Sequence, residues 1–129
     1  MILNLVYVAL GGALGAALRY LVGIGVIRLV GQGLWQGFPL AIVTVNVVGS
    51  FLMGAFVVLA AQRGLTHLSP LIMTGLLGGF TTFSAFSLET VTLMERGAYG
   101  TAMLYVGLSV AGAVGALMLG MVVTRGILA

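Results

Sequence analysis

Four apolar stretches, each long enough to cross a lipid bilayer, account for nearly the whole of this chain. They run from about Leu3 to Leu29, Pro39 to Ala61, Pro70 to Met94 and Ala98 to Thr124. A hydrocarbon core about 30 Å thick takes roughly 20 helical residues to span. Within it each backbone amide has to be satisfied inside its own segment, which selects helices. Hydrophobic residues make up 61% of the chain and charged residues 5%, against about a quarter charged in soluble domains. The pattern predicts an all-α integral membrane protein in which residues 1–129 form one four-helix domain.

The first apolar run lacks a basic start and continues to helix length, so it reads as a retained span and not a cleaved leader. Five arginines against two glutamates give a net charge of +3, too sparse for a nucleic-acid surface. There is no cysteine, which removes disulfides, thiolate metal sites and thiol nucleophiles. Glycines 31, 33 and 37 mark the first loop, with Trp35 as its interfacial anchor. Pro39 suits a first helical turn, and Ser69–Pro70 reads as N-cap and N1. The second loop is expected from Gln62 to Leu68 and the third as a tight turn at Gly97.

A chain that crosses four times places Arg63 and Arg125 on the side of its N-terminus, and Arg28 and Arg96 on the other. Two against two gives the positive-inside rule nothing to act on. Either a flanking group breaks the tie, or the chain inserts both ways and pairs with an inverted copy. Small residues recur at packing intervals in Gly11, Gly12, Gly15 and Ala16, in Ser50 with Gly54, and in Gly107–Ala111–Gly115. Such stripes let membrane helices approach closely, within one chain or across a dimer seam.

Polar residues inside the spans narrow the function. Arg19 sits in an otherwise apolar first helix, where a central arginine costs about 2.5–3.5 kcal/mol on insertion scales. It either snorkels to an interface or lines a watery vestibule that draws anions. Ile42, Asn46 and Ser50 share one face of the second helix. Asn46, near mid-span, either bridges two helices or offers its amide hydrogens to an anion. Tyr105 and Ser109 form a similar pair in the fourth helix. Glu95 is interfacial beside Arg96, whereas Glu89 lies deeper and needs a partner, Arg19 or a hydroxyl. His67 is a loop residue. No carboxylate pair or nucleophile stands in the spans, so catalysis is not expected.

The third helix carries Gly78-Gly79-Phe80-Thr81-Thr82-Phe83-Ser84-Ala85-Phe86-Ser87 at its middle. Adjacent glycines followed by two threonines make a poor helix centre, which predicts a helix broken near the midplane or a packing kink. Unwound backbone at that depth is tolerated only in protein or in a watery cavity, and freed carbonyls there can hold a cation such as Na⁺. Phe83 and Phe86 fall three apart on one face. They are either core or a pair of positive ring edges that solvate a small anion.

These segments resemble the Fluc (CrcB) fluoride channels. The likeness rests on Gly11-Gly12 through Arg19-Tyr20, on Val45-Asn46-Val47-Val48-Gly49-Ser50-Phe51 with Gly54, and on the run from Gly78 to Glu89. It covers all four helices in order. It implies an antiparallel dual-topology homodimer in the inner (plasma) membrane, exporting fluoride passively and relieving fluoride toxicity. Phe83, Phe86, Asn46, Tyr105 and Ser109 then match the ion pathway. Main-chain carbonyls of Gly78 and Thr81 match the ligands of a structural Na⁺ that is not transported. Arg19 and Glu89 match a vestibule arginine and a post-break glutamate. Ile42 stands where members often carry threonine and Ala113 where some carry another hydroxyl, so the polar track is thinner here.

Two other readings compete. A small four-helix dual-topology exporter of cationic compounds needs a membrane-embedded acid, typically in the first helix, and that helix holds Arg19 and no acid. A non-conducting assembly subunit accounts for the glycines but not for a broken helix centred on Thr-Thr-Phe-Ser.

Overall fold

A computed structural model describes residues 1–30 and 38–129, and among them every regular element is helical. The loop expected at 31–37, with Trp35 as its anchor, lies outside the described residues. Helix α1 spans Ile2–Val30 and α2 spans Leu40–Arg63. The third span, Thr66–Glu95, is composite. A 3₁₀ turn, Thr66–Leu68, leads into a π-helical segment, Pro70–Leu77, then a short helix α3, Gly78–Phe80, and finally α4, Phe83–Glu95. Helix α5, Tyr99–Leu128, completes the chain. The four spans are long and apolar enough to cross a membrane, and the chain is a multi-pass membrane protein. Large apolar side chains such as Leu10, Leu21, Met103 and Met118 stand mostly exposed along them, as surface that meets lipid has to.

Boundaries follow local chemistry. Gly64 and Gly97 take left-handed φ values of 67° and 77°, which glycine adopts without a Cβ penalty, and so end α2 and α4. The Gly97 turn stands as expected, whereas α2 continues to Arg63, into the expected second loop. Pro39 sits just before α2 and not in its first turn. Ser69 is helical and makes no side-chain cap hydrogen bond, so the expected N-cap is not formed. An arginine lies at the C-terminal end of every span: Arg28, Arg63, Arg96 and Arg125. Each is favoured there by the negative end of the helix dipole. One arginine per helix end is what produces the two-against-two balance in an alternating chain.

Packing divides the third span between two neighbours. Helix α1 lies against the π segment and α3, while α2 lies along α5. Gly11 and Gly15 of α1 face the carbonyls of Leu71 and Leu76, and Gly54 and Gly120 face the Leu117 and Phe51 carbonyls across the α2–α5 seam. A Cβ at any of these four would collide with backbone. These small residues therefore serve packing within one chain, while Gly107 and Gly115 have open space before them.

The third span is broken, as expected, at the two threonines that follow the glycine pair. Gly78 and Gly79 remain helical, and the chain turns extended at Thr81 (φ −84°, ψ 162°) and Thr82 (φ −152°, ψ 123°). Gly79 approaches the Gly12 backbone closely, so the glycines serve helix contact. The β-branched threonines take up the extended conformation that suits them.

Candidate functional site

The break is held by side chains from both directions. Thr82 N–H donates to Asn46 Oδ1 at 2.8 Å, and Asn46 Nδ2 donates to the Thr82 carbonyl at 3.0 Å. A backbone N–H only donates and a carbonyl only accepts, so this pairing fixes the orientation of the Asn46 amide. Thr82 then caps α4: its Oγ1 accepts from Ala85 N–H at 3.2 Å and lies 3.4 Å from Ser84 Oγ. In an unbroken helix Thr82 N–H goes to the Gly78 carbonyl and Ala85 N–H to the Thr81 carbonyl. Both donors are diverted here, so the two carbonyls expected to hold Na⁺ are among those that lose their helical partners at the break. Carbonyl oxygens freed in a broken membrane helix are suitable Na⁺ ligands, and the residues present fit that ion.

Beside the break lies an open groove of about 390 Å³ between α2, the start of α4 and α5. It brings together Asn46, Thr81, Phe83, Phe86 and Ser109, four of the five expected pathway residues with one of the two expected carbonyl ligands. No charged side chain lines it. Phe83 is 78% exposed in the single chain. Its ring centroid is 5.5 Å from that of Phe86, which is 5.3 Å from Tyr105, which in turn meets Phe38 edge-on at 5.7 Å. An aromatic row therefore runs from the break back to the entrance of α2. Phe38, just before a proline, gave no signal of membership. Thr82 did: a threonine opening a helical run is a capping signature.

Tyr105 lies beneath the groove, fully buried in a cluster with Leu93 and Ala102, against which Ile42 and Phe86 pack. Its hydroxyl and that of the buried Ser109 have no hydrogen-bond partner among the described residues. Leaving a buried hydroxyl unmatched costs about 1–3 kcal/mol, and such groups call for an explanation such as a ligand or water. Ile42 thus puts an apolar chain into the cluster that holds the Tyr105 hydroxyl, and Ala113 adds a methyl to the groove wall. Arg19 is half-buried in α1, which does not touch α4. Gly78, Tyr105, Arg19 and Glu89 all stand outside the groove lining.

Four apolar spans, a third one interrupted at mid-sequence, and a neutral groove rich in hydrogen-bond donors and rings define a small helical membrane protein with a polar site inside its bundle. The sequence pattern of the CrcB-like proteins (Camphor Resistance, CrcB) matches residues 6–121, and the chain belongs to that family. It is 62% identical over 128 residues to the fluoride-specific ion channel FluC of Ruegeria sp., covering 99% of each chain. To the FluC of Roseobacter denitrificans it is 64% identical over 124 residues, covering 96% of this chain and 97% of the other. The FluC of Caulobacter vibrioides is 46% identical over 129 residues, covering 98% of each.

Proposed function

We propose that this protein is a fluoride channel of the plasma membrane, letting fluoride leave the cell passively and so relieving its toxicity. The observation that carries the reading is the lining of the groove. Asn46 keeps one N–H beyond the one given to Thr82, Ser109 has an unmatched hydroxyl, and Phe83 and Phe86 offer ring edges. Neutral donors and ring edges solvate an anion without trapping it, as a conducting site requires. High identity over nearly the full length to proteins named fluoride-specific ion channels supports the same conclusion. A groove without a carboxylate speaks against the alternative, an exporter of cationic compounds.

The channel is an antiparallel homodimer. The groove is open on one side and Phe83 projects from it, so a single chain supplies one wall of a path. The balanced arginines allow the second copy to be inverted. Na⁺ at the two-fold axis would be held by the Gly78 and Thr81 carbonyls of both copies, a structural site that ties the breaks together. Arg19 would draw anions toward the mouth, and Glu89, beyond the break in α4, would support the pathway.

The test is growth. Expressed in a bacterial strain that lacks its own fluoride export, the protein is expected to restore growth in fluoride and give no protection against ethidium. Protection against ethidium without protection against fluoride would favour the exporter.

A further inference from the structure

We infer that Asn46 is a positioning residue for the cation site, acting through the backbone of Thr82 and not only through the groove it lines. The inference rests on the Na⁺ reading given above. Among the described residues Asn46 is the one side chain of α2 with hydrogen bonds to the break, and it uses an acceptor and a donor on the same residue. Its Oδ1 competes directly with the Gly78 carbonyl for Thr82 N–H. When Oδ1 holds that hydrogen, the Gly78 carbonyl is left available to a cation. When it does not, the shortest rearrangement returns Thr82 N–H to Gly78 and closes the helix over the site.

Two further features keep the exchange in place. Gly49, one turn on from Asn46, has the Thr81 methyl and the Phe80 ring where a Cβ would stand, so the break seats against α2 at van der Waals distance. Thr81 Oγ1 and Thr81 N–H both turn back to the Leu77 carbonyl, at 2.9 and 3.0 Å. These bonds anchor Thr81 to the preceding turn, and its extended ψ of 162° takes its carbonyl off the helical path. Asn46 joins the two halves of the site: one face of its amide sets the carbonyls, and its remaining N–H is left for the groove.

The experiment measures Na⁺ retention separately from fluoride flux. Protein purified in Na⁺ is exchanged into Na⁺-free buffer, and bound ²²Na⁺ is counted over time for the parent, Asn46→Ala, Asn46→Asp and Phe86→Ile. Asn46→Asp is close to isosteric and keeps the acceptor for Thr82 N–H while losing the donor to its carbonyl. Asn46→Ala is expected to lose Na⁺ about tenfold faster or more, the scale of one lost buried hydrogen bond, while Asn46→Asp, which keeps the acceptor that diverts Thr82 N–H, should hold Na⁺ longer than Asn46→Ala. Phe86→Ile should lower flux with retention unchanged. Amide exchange at Thr82 should accelerate in Asn46→Ala by a similar factor. An Asn46→Ala variant that loses flux but holds Na⁺ and protects Thr82 as the parent does would overturn the inference, leaving Asn46 as groove lining alone, and so would an Asn46→Asp variant that loses Na⁺ as fast as Asn46→Ala. A parent that never retains Na⁺ would instead sink the sodium reading, and the link to Asn46 with it, while Thr82 exchange still decides whether Asn46 holds the break.

Discussion

Ser109 and Phe86 show how single side chains here trade stability for passage. Ser109 is 5% exposed and its hydroxyl is unmatched, although a helical serine commonly bonds back to the carbonyl four residues before it. Ser109→Ala should therefore leave thermal stability unchanged or raise it, by up to about 1–3 kcal/mol, while fluoride flux falls. A loss of stability would mean that the hydroxyl has a protein partner after all. Phe86 sits in the middle of the aromatic row, so Phe86→Ile should interrupt it while conserving most of the volume. Such swaps usually cost less than about 1.5 kcal/mol, and flux measured in liposomes should fall much further than stability does. The chemistry of these residues was legible in the sequence, because a polar or aromatic side chain in an apolar span stands out. Their partners were not: nothing in Asn46 or Thr82 alone announces that they bind each other across 36 positions.

The elements were legible to different degrees, for physical reasons. Apolar length set the four spans, and the end of the third was readable at Gly97 because that turn takes a positive φ. The break was expected within the run of two glycines followed by two threonines and lies at the threonines; which part of the run opens was not legible, since glycine in a membrane helix signals close approach as readily as unwinding. The small-residue stripes were ambiguous for the same reason, as spacing shows that a neighbour is near but not which one. Their separation in the structure yields a paired prediction. Gly54→Ala drives a Cβ into the Leu117 carbonyl and should destabilise the fold by about 1–3 kcal/mol, the usual cost of overpacking, read as a lower melting temperature in detergent. Gly115→Ala meets no atom of the described residues within 4 Å beyond its own helical backbone and should leave that temperature unchanged when the protein is held as a monomer. If both variants behave alike, the α2–α5 seam is not the tight contact described.

At the scale of the whole molecule, orientation and conduction are joined. With one arginine at the end of each span, a few added charges outweigh the natural balance. Several lysines placed in the Gln62–Leu68 region should lock one orientation and abolish fluoride protection, which should return on co-expression with a chain biased the opposite way by lysines at Gly97. Full protection from one locked chain alone would refute the inverted pair. The most direct test of a passive fluoride route is made with pure protein in liposomes loaded with potassium fluoride, using a fluoride electrode outside. Adding a potassium ionophore should release fluoride at once, because potassium can then leave with it and no opposing membrane potential builds, and little should leave before it. No release after the ionophore, from protein shown to be folded and inserted, would contradict the account.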